Sequence, residues 1–298
     1  MKGNILLLIT AAIWGSTFVA QRVGMDHLGP FTFNGLRFVI GGIALIPFML
    51  WWNSRDVKKQ PPLELDERSK RWLKPTVFCA GLILFAGSVL QQVGLIYTTA
   101  GKAGFITSLY IVIVPILGIW LGQRAVPGTW LGAGLALVGL YLLSIKADWT
   151  LSYGDFLVLI GAFFWAGHVL IIGWLAPRYE AIRLSIIQSL IVGVLSLLVA
   201  MVIETISWSA IQGAMQSILY AAILSTGIAY TLQIFAQERV KPAHAAIIMS
   251  SEAMFAVLAG WLILGELLTL RGIVGCTLIL AGMLVSQLMV PVQADKPS

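Results

Sequence analysis

Ten runs of apolar residues dominate this chain: 4–23, 31–51, 76–97, 102–121, 128–145, 153–175, 184–203, 213–236, 243–264 and 270–290. Each is close to the roughly 20 residues of helix that cross a hydrocarbon layer about 30 Å thick. Turn-formers mark the cuts: Gly29-Pro30 before the second run, Pro127-Gly128 at the fifth, Pro177 after the sixth and Pro242 before the ninth. The runs are twice the length of a barrel strand and lack its alternation, which excludes a β-barrel. Charged residues make up 11% of the 298 and hydrophobic ones 59%, whereas a water-soluble globule carries about 25% charged residues. The expected fold is an all-α integral membrane protein of ten transmembrane helices. A secreted disulfide domain, a disordered tail and an ordinary cytosolic enzyme are excluded.

Topology follows from the basic residues, which collect on the cytoplasmic side of membrane proteins. With the N-terminus inside, the inner segments hold 14 of the 19 Lys and Arg and the outer ones 4 (Arg22, Lys102, Lys146 and Arg271), with Arg37 inside a span. Both termini are therefore expected in the cytoplasm, and the net charge of +6 reports topology rather than nucleic acid. Lys2 followed by Ile5–Ile13 resembles a signal peptide, but Phe18 stands where a small residue should precede cleavage, so this run reads as a retained first helix. The one long connection, roughly 53–75, carries seven Lys and Arg against four acids and suits an anionic inner leaflet or a solvated loop. Cys79 and Cys276 offer neither a disulfide framework nor metal-ligand spacing and read as small packed hydrophobes.

The chain also repeats itself. Residues 90–108, LQQVGLIYTTAGKAGFITS, align with 232–250, LQIFAQERVKPAHAAIIMS, so that Leu90, Gln91, Ala103 and Ser108 meet Leu232, Gln233, Ala245 and Ser250. Gly132 and Gly139 likewise match Gly275 and Gly282, and Trp14 in AIWGST matches Trp165 in FFWAGH. The halves are then 1–148 and 149–298, with five spans each. An odd number of spans inserts the second copy upside down, a device of carriers whose substrate binds at the midplane between repeats.

Intramembrane ionisable groups are the next clue, since placing one in lipid costs at least about 2.5 kcal/mol. Glu252 is the one acid near the centre of a span, and Tyr110 is its repeat equivalent. It could be a counter-charge for a substrate ammonium, a proton-carrying site, or a structural carboxyl. Arg37 and Lys102 could each receive a substrate carboxylate, or else snorkel. His168 is a core histidine or a pH-sensitive contact. Trp14 and Trp165, deep and equivalent, are expected to face the bundle interior, where an indole N–H finds a partner. Gln91 and Ser250 stand among polar residues at membrane depth that either bond between helices or line a pathway. Pro115 removes a helix bond to Ile111 and is expected to kink the fourth span.

The stretch AAIWGSTFVAQRVG (11–24), then FNGLRF (33–38), resembles the opening of EamA-type members of the drug/metabolite transporter superfamily. EAMFAVLAGWLILGELLTLRGIVG (252–275) resembles that family's C-terminal signature, with Gly265-Glu266 at its end. Within the superfamily the chain is most similar to YddG-type aromatic amino-acid exporters. It departs from pattern at Gly122-Gln123, where the family often has Gly-Glu, so an acidic role is not carried over there. The resemblance implies a ten-helix carrier with a central cavity, exporting a small metabolite.

The expected function is a secondary transporter of small amphipathic metabolites, aromatic or apolar amino acids foremost, with drugs or other metabolites as the alternative and a channel or scaffold behind both. The expected partners are a small-molecule substrate, the bilayer and protons as a coupling ion, with no obligate protein partner. No cofactor, metal or nucleic acid is expected. No Walker loop, His-Glu-x-x-His or paired catalytic aspartates appear in the sequence, so neither internal ATP drive nor an intramembrane enzyme is indicated.

Overall fold

The computed structural model describes residues 2–54, 65–98, 100–123, 126–144, 152–264 and 269–289, and what it describes is helical throughout. Gly265-Glu266, Lys146, Lys296 and the basic residues Arg55, Lys58, Lys59 and Arg124 lie outside the described residues.

In order, the helices are α1 (Lys2–Gly24), α2 (Pro30–Ser54), α3 (Glu67–Tyr97), α4 (Ala100–Ser108), α5 (Tyr110–Trp120), α6 (Pro127–Ser144), α7 (Tyr153–Leu175) and α8 (Ala181–Ile203). Then come α9 (Trp208–Gly213), α10 (Met215–Tyr220), a π-helix (Ala221–Ala229), α11 (Tyr230–Gln237), α12 (Pro242–Met249), α13 (Glu252–Leu264) and α14 (Leu270–Leu288). Counting α4 with α5, α10 through α11, and α12 with α13 as continuous spans, eight of them are long and apolar enough to cross a membrane. Two further apolar helices, Pro127–Leu142 and Leu270–Ser286, are shorter. Large apolar side chains such as Leu50, Val202, Leu262 and Leu288 point outward, which only a lipid environment tolerates over the whole circumference. Trp51, Trp120, Trp130 and Trp261 are exposed near helix ends, where an interfacial belt places them. Cys276 is half-buried and packs against the main hydrophobic cluster, as expected of a small packed hydrophobe, whereas Cys79 is exposed and departs from that expectation.

Glycines set the closest crossings. A Cβ on Gly132 of α6 would lie 2.6 Å from the Gly282 carbonyl of α14, and one on Gly139 would lie 2.6 Å from the Gly275 carbonyl. As α6 is climbed α14 is descended, so the two helices run antiparallel. Exchanging the aligned glycines, Gly132 for Gly275 and Gly139 for Gly282, turns one contact into the other. The pair α2 and α8 repeats the arrangement: Gly35 abuts Leu197, Gly193 abuts Val39, and Gly42 faces Leu190. Close antiparallel approach through small residues is how helices gain packing contacts in a solvent as apolar as themselves. Around these crossings α3 packs on α7, and α1 packs on α13 and on the π-helix.

Termini are fastened by side chains. Ser152 and Asp155 form a capping box at the start of α7. The Glu204 carboxylate, just past α8, accepts the backbone N–H groups of Phe31 (2.9 Å) and Thr32 (2.8 Å) and the Thr32 hydroxyl (2.6 Å), capping α2 from a distant part of the chain.

The two broken spans depart from expectation. The fourth is interrupted at Leu109, between α4 and α5, while Pro115 lies inside α5. The ninth is interrupted at Ser250 and Ser251, between α12 and α13. These are equivalent positions in the alignment of the halves, and the second has no counterpart of Pro115, its proline being Pro242 at the start of α12. There, the Ser250 and Ser251 hydroxyls bond the carbonyls of Ile247 (2.8 Å) and Ile248 (2.7 Å), which relieves backbone that leaves the helix.

Filling the α6–α14 crossing tests the packing. Gly132→Leu is expected to lower stability by about 1–3 kcal/mol, the usual cost of overpacking. Gly134→Ala, on the same helix with open space beside it, should be neutral or better. Unfolding midpoints of the purified variants in detergent read the difference, and equal midpoints would refute the close crossing.

Candidate functional site

The helices enclose a cavity at mid-depth in the bundle. Its walls come from α1 (Trp14, Thr17, Phe18, Gln21), α2 (Arg37), α3 (Gln91), α4 and α5 (Thr107, Tyr110), α7 (Trp165, His168, Val169), the π-helix (Ser225), α11 (Tyr230, Gln233), α12 (Met249) and α13 (Glu252). Its volume is about 40 Å³. In this conformation the cavity accommodates water and no larger ligand without movement of its walls.

Seven of the nine residues singled out in the sequence line it: Trp14, Trp165, Tyr110, Glu252, His168, Arg37 and Gln91. Lys102 and Ser250 do not. Lys102 stands 3.2 Å from Asp155, a carboxylate that also accepts Thr98 and the Ser152 N–H. Ser250 turns its hydroxyl back to the Ile247 carbonyl. The first belongs to the cap of α7, the second to the break between α12 and α13.

Arg37 is 2% exposed and does not snorkel. Its Nε and Nη2 both donate to the Asn34 side-chain oxygen, at 3.0 and 2.8 Å, and its guanidinium lies 4.8 Å from the Phe38 ring centroid. Asn34 in turn donates to Ser88 (3.1 Å) and Ser196 (3.3 Å), joining α2 to α3 and α8. The arginine is thus held by a neutral amide. Among the described residues no carboxylate lies within 4.0 Å of it.

Glu252 opens α13 and is 3% exposed. The Ser108 hydroxyl reaches its Oε1 at 3.5 Å, a long contact shared with the Ser250 carbonyl at 3.4 Å. The Tyr110 hydroxyl faces the carboxylate, but not in the geometry of a full hydrogen bond. The repeat partners Tyr110 and Glu252 therefore do meet. Buried carboxylates with so few donors are uncommon, because each unmet bond carries a desolvation cost.

Tyr230 was missed in the sequence. Its ring sits among Trp14 (4.9 Å), Phe38 (5.8 Å), His168 (6.1 Å) and Trp165 (6.4 Å, planes within 15°). It follows directly on the π-helix, whose Ser225 carbonyl accepts the Trp14 indole N–H at 3.4 Å and whose Ala229 carbonyl accepts Thr10 at 3.3 Å. π-Helical turns recur at functional sites because they offer backbone groups sideways. A signal existed, since Tyr230 is one of three tyrosines deep in spans, with Tyr110 and Tyr220, but nothing in residues 221–229 marks a π-helix. His168 bonds Gln188 at 3.0 Å, so it is a satisfied histidine that also shapes the wall. Four polar atoms lining the cavity are buried without a partner: Gln21 Oε1, Tyr110 Oη, Trp165 Nε1 and Gln233 Oε1. Donors and acceptors are both among them, so a ligand carrying both kinds of group is what the cavity can satisfy. Among the described residues no group of three His, Cys, Asp or Glu could hold a metal ion.

Comparison with known proteins gives a consistent answer. The family described as the EamA-like transporter family matches residues 1–145 and 152–287. An uncharacterized transporter of Archaeoglobus fulgidus is 33% identical over 286 residues, 95% of this chain and 85% of its own. The uncharacterized transporter YwfM of Bacillus subtilis is 28% identical, covering 96% of this chain and 94% of its own, and the uncharacterized inner membrane transporter YedA of Escherichia coli K12 is 25% identical, covering 86% and 81%. A solved crystal structure at 19% identity superposes with a TM-score of 0.78 over 96% of this chain and 99% of that one, a likeness of fold.

Asn34 makes the two described hydrogen bonds of the Arg37 side chain, so Asn34→Leu should destabilise the protein by about 1.5–3 kcal/mol, as for bonds to a charged group. Asn34→Asp, which keeps the acceptor, should cost less. Chemical denaturation of both variants in detergent measures this, and an unperturbed Asn34→Leu would mean the guanidinium rests on something else.

Proposed function

The chain belongs to the EamA-like transporter family, and on that premise we propose that it is a secondary transporter exporting small amphipathic metabolites, aromatic or other apolar amino acids foremost. The frame we propose is ten transmembrane helices in two inverted five-helix repeats, 1–148 and 149–298, with both termini cytoplasmic. The antiparallel, exchange-symmetric crossings of α6 with α14 and of α2 with α8 support it, as does the bias of basic residues. The membrane is the cytoplasmic, or inner, membrane.

One observation carries the substrate class. Arg37 and Glu252 are buried in the walls of the same cavity and are not paired with each other. Two opposite charges left apart in a low-dielectric site are costly unless something bridges them. A zwitterion does so, its carboxylate toward Arg37 and its ammonium toward Glu252, while Trp14, Trp165 and Tyr230 offer aromatic faces to an apolar tail. Sites with mixed apolar walls and a few placed polar groups are the usual form for such ligands. Alternating access then consists of opening the closed-down cavity first to one side and then to the other. Glu252 is also the group placed to take a proton when the ammonium has left, which would couple export to proton entry.

Purified protein in proteoliposomes is the test. Labelled phenylalanine or tryptophan should move faster than in empty liposomes and faster again with an imposed pH gradient. Arg37→Gln and Glu252→Gln should each weaken apparent substrate affinity by about tenfold or more, the size of a lost charge-assisted contact. Glu252→Gln should also lose the stimulation by the gradient. A purely cationic substrate would depend on Glu252 and ignore Arg37. Gradient-stimulated flux undiminished in Glu252→Gln would remove the coupling role from that residue.

A further inference from the structure

A second cavity, unconnected with the first by any shared lining residue, opens on the flank of the bundle where α3 begins and α5 and α7 end. Its volume is about 570 Å³, and its lining changes character along its length. Arg68, Ser69 and Gln123 stand at one end, Trp72 and Trp174 in the middle, and Leu170 and Ile171 at the other. From Arg68 to Thr76 along α3 is about 12 Å. That is the distance over which a bilayer passes from charged headgroups to hydrocarbon, and tryptophans favour the zone between. Trp72 and Leu121 on its rim are 56% and 68% exposed.

Arg68 lines the polar end, close to the Asp66 carboxylate, and Arg178 stands beside the groove against its lining residue Trp174. Arg178 lays its guanidinium 4.8 Å from the Trp174 ring centroid and donates Nη1 to the Trp174 carbonyl at 2.8 Å, while its Nε is buried without a partner. The acids nearby are otherwise engaged: Glu67 with Lys70 at 2.8 Å, Glu180 with Arg183 at 2.9 Å, and Asp66 with the Ser69 N–H at 3.0 Å. Among the described residues no carboxylate lies within 4.0 Å of Arg68 or Arg178.

We propose that this groove is a binding site for an anionic glycerophospholipid of the cytoplasmic leaflet. The phosphodiester is held by Arg68 and Arg178, the glycerol lies between Trp72 and Trp174, and an acyl chain runs along Leu170 and Ile171. A free phosphate would use only the polar end and leave the apolar length uncovered. A zwitterionic lipid would fill the groove but bring an ammonium toward two arginines. The proposal does not depend on which substrate the carrier moves.

Native mass spectrometry of the detergent-purified full chain, equilibrated with equal amounts of phosphatidylglycerol and phosphatidylcholine of identical acyl chains, tests it. Wild-type protein should retain phosphatidylglycerol about fivefold or more over phosphatidylcholine, the effect expected of one basic group or more at an anionic headgroup. R68Q/R178Q should bring the ratio close to one while eluting as a monodisperse species. R271Q, whose guanidinium lies over Tyr141 away from this groove, should keep the preference. Excess glycerol 3-phosphate should not displace the lipid. No preference in the wild type, a preference that survives in R68Q/R178Q, or displacement by glycerol 3-phosphate would each overturn the proposal.

Discussion

In hydrocarbon a polar group without a partner has no water to fall back on, and most of this structure follows from that. Backbone groups close on themselves as helix over the described residues, the solution lipid allows apart from closed barrels. Where the chain leaves that solution, at Leu109 and at Ser250-Ser251, it does so inside the bundle, and serine hydroxyls take up freed carbonyls. The π-helix follows the same rule: its sideways carbonyls at Ser225 and Ala229 are met by Trp14 and Thr10 of α1. Irregular backbone thus gathers around the cavity, the place where protein can satisfy it.

The scaffold and the cavity are built from different residue types for a physical reason. Helices that gain nothing by hiding apolar surface from a like solvent must gain by contact, and glycine gives the nearest contact. The α6–α14 and α2–α8 crossings use it on the periphery. Around the cavity the large side chains take over: Tyr230, Trp14, Trp165, Phe38 and His168 pack ring against ring. Such rings can turn without losing the hydrocarbon they bury, whereas a glycine crossing cannot loosen without opening a void.

Much of this was legible in the sequence because lipid makes sequence patterns blunt. A span announces itself by twenty apolar residues, so ten runs could be cut with little error, although two of the corresponding helices fall short of membrane length within the described residues. Buried charge announces itself too: Arg37 and Glu252 stand out because their neighbours are apolar, and both reach the cavity. What failed was partner choice. Lys102 looked available because Asp155, more than fifty residues away, gives no local sign that it will meet it. Pro115 drew attention as a kink, whereas the interruption at Leu109 gave no sign in the sequence, and its repeat equivalent at Ser250-Ser251 has no proline beside it. Tyr230 was overlooked because its repeat equivalent is Ser88, so the internal alignment that exposed Trp14 and Trp165 gave it no echo.

The difference between the charges that face the cavity and those that do not is the last step. Lys102 has Asp155, Lys70 has Glu67 and Arg183 has Glu180; each pair is neutral and fixes one local junction. Arg37 has a neutral amide, and Glu252 a distant hydroxyl. An amide orients a guanidinium more weakly than a carboxylate would but leaves its charge intact, and a hydroxyl at 3.5 Å is a weak partner for a carboxyl group. Were either group needed only for folding, a neutral side chain of similar size would serve with less desolvation. An acid and a base buried apart in the walls of one cavity, neither with a partner of opposite charge, are what the proposed zwitterionic substrate would come between.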